Sequence, residues 1–148
     1  MIQLTREFKF DSAHFLTKYH GKCEHLHGHT YRLWVTIEGE IQENGMLLDH
    51  GFLKKIVKEQ VINQFDHRCL NDTFKNPTAE IIAKHIWEVL VNLPELLKVE
   101  AEDPNMPEEL KRLFKEEGYE KEINEKVRLV EVKLSETDNT YVVYRGGA

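Results

Sequence analysis

Three stretches of this chain alternate apolar and polar side chains with a period of two, the rhythm of strands that bury one face and leave the other open. Ile2, Leu4, Phe8 and Phe10 alternate with Gln3, Glu7, Lys9 and Asp11, and Tyr31, Leu33, Val35 and Ile37 alternate with Arg32, Thr36 and Glu38. Val130, Val132 and Leu134 form a third apolar row. Thr140 to Tyr144 is β-branched and aromatic enough for a fourth strand, and Asp138-Asn139 reads as the turn before it.

Between the second and third rows the period changes. Phe52, Leu53, Ile56, Val57, Val61 and Phe65 are spaced for one face of a helix. A second helix is expected after Asn76-Pro77, with Thr78 as its cap, Glu80 in the first turn where the helix dipole favours a carboxylate, and Ile82, Ile86, Val89 and Leu93 as the buried stripe. The order strand, strand, helix, helix, excursion, strand, strand predicts an α+β fold, a four-stranded antiparallel sheet with two main helices on one face. At 148 residues and 41% hydrophobic content, a single domain over 1–148 is expected.

Charge and cysteine content narrow the function classes. A net charge of −6 lacks the concentrated basic surface that phosphate backbones require, so nucleic acid is not an expected partner. No run of about 18 apolar residues could span a bilayer, and the N-terminus alternates where a signal peptide would have an apolar block. Two cysteines argue against a disulfide framework and for a reducing compartment, so a cytoplasmic protein is expected. Residues 95–126 hold eleven acids and six bases, most of the net charge, and read as a solvated helical excursion before the third strand.

The chemistry gathers where the rows end. His25, His27 and His29 share the parity of Tyr31 and Leu33, so histidines open an apolar face. Side chains two apart on a strand sit about 6.6 Å apart on one face, close enough for His27 and His29 to reach one zinc ion, whereas His25 and His29 are about 13 Å apart. A third ligand must come from elsewhere. Strand one offers His14, reached by carrying the row of Phe8 and Phe10 through Ser12, and the third row ends on Glu136. Alone, each of these is as readily a core histidine, a turn carboxylate or a surface pair. Together they suggest a pocket at one edge of a sheet. Cys69 reads as a small buried hydrophobe.

Six segments, in order, resemble the signatures of the family that contains 6-pyruvoyl- and 6-carboxy-tetrahydropterin synthases: FDSAHFL at 10–16, CEHLHGHTY at 23–31, GMLLD at 45–49, FDHRCLN at 65–71, NPTAE at 76–80 and LSET at 134–137. The spacing CxxxHGH resembles the bacterial 6-carboxy branch of queuosine synthesis. Two departures stand out, His50 where the family usually has an aromatic residue and an excursion longer than in compact bacterial members.

The resemblance implies the tunnelling fold (T-fold), a homohexamer of two stacked trimers with shared sites, and a zinc ion held by His14, His27 and His29. It implies conversion of 7,8-dihydroneopterin triphosphate to 6-carboxy-5,6,7,8-tetrahydropterin, acetaldehyde and triphosphate. Cys23 would be the general base, Asp66 and His67 a proton relay, and Glu136 the acceptor of the pterin's amino-pyrimidine N–H groups. Thr78 and Glu80 are further candidates for that pocket, although helix capping already accounts for both. Lys18, Lys22 or Lys133 would face the triphosphate. The nearest alternatives are an enzyme of the same fold that forms 6-pyruvoyl-tetrahydropterin or cleaves the dihydroneopterin side chain, and, of another class, a non-catalytic zinc-stabilised interaction module.

Overall fold

A computed structural model describes residues 1–17, 20–21, 24–101, 104–105, 108–109, 112 and 127–147. The four expected strands are present and pair antiparallel: β1 (Ile2–His14), β2 (His27–Gly39), β4 (Arg128–Thr137) and β5 (Thr140–Tyr144). A fifth strand, β3 (Arg68–Cys69), pairs parallel with β1 through Ser12 and Ala13, and the sheet order is β3-β1-β2-β4-β5. Two residues carry no periodicity, which is why β3 has no signature in the sequence. The turn at Asp138-Asn139 joins β4 to β5 as expected.

Even-numbered residues of β1 and odd-numbered residues of β2 face the helices. Phe10, Tyr31, Leu33 and Ile37 are almost wholly buried there, and Phe10 stacks on Tyr31 with centroids 4.9 Å apart. The third row departs from strict alternation. Thr36 pairs with Glu131 and Ile37 with Leu129, so Val130 is the extra residue of a β-bulge. Leu129 therefore takes the inward place expected of Val130, which is only half-buried.

The first helical run also breaks its period. α1 (His50–Val57), with the Asp49 carboxylate accepting the Gly51 N–H at 2.8 Å, passes into a π-helical segment (Lys58–Ile62) and a last turn, α2 (Asn63–Phe65). Val57, Val61 and Phe65 are spaced by four, a repeat that drifts around an ordinary helix. The wider π turn keeps all three buried. α3 (Ala79–Leu90) buries Ile82, Ala83, Ile86 and Leu90; Val89, expected in that stripe, is only half-buried against it. Leu93, expected in the same helix, opens a third one, α4 (Leu93–Ala101), which docks on the core through Leu93 and Leu97. The acidic stretch thus begins as a packed helix, and most of the remainder of 95–126 lies outside the described residues. No helix among those described is long and apolar enough to cross a membrane.

Thr78 caps α3 by accepting the Ile81 N–H at 3.2 Å. Thr78→Ala is expected to lower stability by about 1 kcal/mol and Thr78→Ser to restore it, read as urea midpoints.

Candidate functional site

The β1–β2 ladder sets Ser12 opposite His29 and His14 opposite His27, which brings three imidazoles to the top of the buried face. His14 Nε2 lies 3.1 Å from His27 Nε2, which lies 2.9 Å from His29 Nε2. The rings stand edge to face, with centroids 4.7 to 5.0 Å apart. The sequence expectation of His27 and His29 converging, with His14 as the third, is met in this geometry. The apolar row beneath them ends in Tyr31, whose hydroxyl is 3.1 Å from His14 Nδ1.

The remote ring nitrogens fix the tautomers. His14 Nδ1 is 2.8 Å from the Pro77 carbonyl and His27 Nδ1 is 2.6 Å from the His25 carbonyl, and a carbonyl can only accept, so both Nδ1 atoms carry hydrogen. The Nε2 lone pairs of His14 and His27 then point at each other, an arrangement that repels unless a cation sits among them. Three nitrogens about 2.0–2.1 Å from a tetrahedral zinc lie about 3.3–3.4 Å from one another, close to the spacing found. The donor set fits a zinc-type ion, with the second-shell carbonyls such ligands commonly use. Burial holds His14 and His29 below the ordinary imidazole value, and the neighbouring rings add to it, so both favour the neutral, ligating form.

Beside this cluster Glu136 brings a carboxylate oxygen to 4.0 Å from His29 Nε2. Burial raises its proton affinity, Glu80 adds to the effect and His27 opposes it. Glu136 opens on a cleft of about 340 Å³ that Thr78, Glu80, Leu134 and Tyr141 also line. The α3 cap and the histidine cluster meet here, because the carbonyl that orients His14 belongs to Pro77, one residue before Thr78.

Asp66 and His67 form a second group on the open side of β1. The segment leaving α2 is pinned by Ser12 Oγ donating to the Phe65 carbonyl at 2.6 Å and by the His67 N–H donating to the Asp11 carbonyl at 2.6 Å. His67 Nδ1 lies 3.1 Å from Asp66 Oδ1, and the imidazole is 75% exposed. It borders a cleft of about 600 Å³ whose wall includes Asp11, Gly28, His29, Thr30 and Arg68, so His29 is common to the histidine cluster and this cleft.

Other expectations fare differently. Cys23, Lys18 and Lys22 lie outside the described residues. Lys133 sits over the rings of Trp34 and Tyr141, at 4.7 and 4.0 Å, and is engaged by aromatic faces. His50 is exposed at the start of α1 and lines neither cleft. Cys69 is half-buried, not fully buried, and borders the larger cleft. Sequence reasoning missed Asp11, Ser12, Thr30 and the Pro77 carbonyl. Parity alone separates Asp11 and Thr30 from the histidine row, and nothing in it signals the bonding of Asp11 to the 65–67 segment or of Thr30 to Asp11.

Comparison with known proteins gives the family. The sequence profile described as 6-pyruvoyl tetrahydropterin synthase matches residues 3–109. A Haemophilus influenzae protein named 6-carboxy-5,6,7,8-tetrahydropterin synthase is 39% identical over 85 residues, covering 55% of this chain and 60% of that protein, so the matched region spans less than two thirds of that relative. A Rickettsia bellii protein of the same name is 30% identical over 143 residues, covering 96% of this chain and 99% of that one. In three dimensions the chain is similar to Caenorhabditis elegans 6-pyruvoyl tetrahydropterin synthase, with a TM-score of 0.66 at 24% identity over 99% of this chain and 96% of the other, a likeness of fold.

Two outcomes follow for the cluster. The protein should bind about one zinc ion per chain, and His27→Ala should lose more than about nine-tenths of it by metal analysis. In metal-free protein, unfolded histidines take up protons below their ordinary value of 6.5 while His14 and His29 stay neutral. Stability is therefore expected to be flat in this respect above pH 6.5 and to fall as pH drops below it toward the lowered folded values, measured as urea midpoints.

Proposed function

This chain belongs to the 6-pyruvoyl tetrahydropterin synthase family of enzymes, and from that premise we propose that it is a zinc-dependent lyase converting 7,8-dihydroneopterin triphosphate and water to 6-carboxy-5,6,7,8-tetrahydropterin, acetaldehyde and triphosphate. The observation that carries the proposal is the convergence of three imidazoles beside a half-buried carboxylate. The choice of the 6-carboxy product is supported by the relatives of that name and by the CxxxHGH spacing. A cytoplasmic place in queuosine synthesis belongs to the same proposal, supported by the resemblance of the CxxxHGH spacing to that branch and by the two cysteines expected of a reducing compartment.

His14, His27 and His29 would hold the metal. When bound, zinc with an open fourth position supplies Lewis acidity that makes the substrate's side-chain hydroxyls more acidic. Cys23 takes a carbon-bound proton as thiolate. Asp66 orients His67 by accepting from its Nδ1–H, which leaves Nε2 to exchange protons with the substrate. Glu136 accepts two N–H bonds from the amino-pyrimidine edge, and those donors favour the ionised form that burial and Glu80 disfavour. Thr78 and Glu80 complete the cleft around it.

The proposed assembly is a homohexamer. It is supported by the sheet order, which leaves β5 as an edge strand with a row of backbone groups for a second copy to pair with. A non-catalytic zinc module is disfavoured because structural zinc sites fill four protein positions, and the cluster among the described residues offers three histidines.

Mass spectrometry of the zinc-loaded protein with 7,8-dihydroneopterin triphosphate is expected to give the 6-carboxy product with acetaldehyde. A 6-pyruvoyl product or a cleaved side chain would assign the chain to another branch, and an unchanged pterin would contradict the proposal. Glu136→Gln is expected to raise KM about 10- to 100-fold with a smaller change in kcat, the loss of a charge-assisted pair. Cys23→Ala should keep its zinc and lose turnover, whereas metal falling to near zero would make Cys23 a structural ligand.

A further inference from the structure

His67 is held in a backbone conformation that side chains other than glycine rarely adopt. Its φ is +59°, the left-handed region, which costs about 1–2 kcal/mol for a residue with a Cβ. Such a residue persists only where its surroundings over-determine it. Here the determinants come from one residue of β1. The Asp11 carbonyl accepts the His67 N–H at 2.6 Å, and the Asp11 N–H donates to Asp66 Oδ1 at 2.9 Å, the same oxygen that faces His67 Nδ1 at 3.1 Å.

The Asp11 side chain adds a second carboxylate. One of its carboxylate oxygens lies within 4.8 Å of a carboxylate oxygen of Asp66 and a ring nitrogen of His67, and Thr30 Oγ1 donates to Asp11 Oδ1 at 2.5 Å, tying it to β2. The ladder explains the pairing, because Asp11 and Thr30 are partners on the rung next to Ser12 and His29, on the opposite face.

We propose that Asp11, anchored by Thr30, is a positioning residue for the Asp66–His67 pair: its backbone fixes the pair's geometry and its carboxylate steadies the imidazole when it holds a proton. This rests on, and deepens, the reading of that pair as a proton relay. With Nδ1–H committed to Asp66, a proton taken up at Nε2 creates an imidazolium flanked by two carboxylates. The other groups around the same cleft are the Arg68 guanidinium and Cys69 thiol on β3 and the His29 imidazole on β2. Arg68 opposes the effect, so two carboxylates are set against one cation.

The test has an arm that needs no turnover. In the zinc-loaded protein with isotope-labelled histidine, the His67 resonance is followed by NMR as pH is varied. Asp11→Asn, which keeps shape and the backbone bonds, is expected to displace the His67 titration curve to lower pH relative to wild type. Thr30→Val should displace it in the same direction, and Thr30→Ser, which keeps the hydroxyl, should restore it. An unmoved midpoint in both Asp11→Asn and Thr30→Val would overturn the proposal.

The kinetic arm reads turnover of dihydroneopterin triphosphate. Asp11→Asn is expected to lower kcat about 10-fold with KM within about twofold, since Asp11 touches the relay and not the substrate. A rise in KM at unchanged kcat would overturn the proposal by making Asp11 a binding residue. Wild-type protein silent toward the pterin, with the NMR displacement intact, would leave the positioning role standing and sink the reaction assignment alone.

Discussion

The antiparallel register of β1 on β2 is the constraint on which the site depends. With His14 opposite His27 and Ser12 opposite His29, three imidazoles meet at one end of the buried face. A slip of one residue would send each row to the other face and scatter them. What prevents the slip lies lower in the same rows, where Phe10 stacks on Tyr31 and Leu33 packs against Leu134 across the next ladder. Ordinary hydrophobic packing fixes the geometry of the histidine cluster, and the Tyr31 hydroxyl beside His14 Nδ1 joins the two.

The same parity divides the chemistry between two environments. On the buried face, desolvation keeps His14 and His29 neutral, as metal ligands must be. On the open face His67 stays solvated, between a carboxylate of its own segment and one from β1. Residues Gly28 to Thr30 border both environments, which is how His29 comes to line the larger cleft.

Much of this is legible in the sequence because period two encodes faces. The rows ending in His14, His29 and Glu136 could be extended by parity, and all three arrive within one neighbourhood. Parity fails where the backbone is irregular. The bulge at Val130 exchanges it for Leu129, the π segment absorbs the drift between Val57 and Phe65, and β3 is too short to repeat anything. The bonds of Asp11 to Asp66 and His67 are of the same kind: they depend on a left-handed residue and on partners 55 or more positions away in sequence.

The central claim, three imidazoles around one ion with a fourth position left open, is tested most directly by zinc K-edge X-ray absorption on the loaded protein in solution. The predicted first shell is three nitrogens at about 2.0–2.1 Å and one light atom that substrate displaces. A sulfur ligand at about 2.3 Å filling the fourth position, or fewer than three imidazoles, would contradict it.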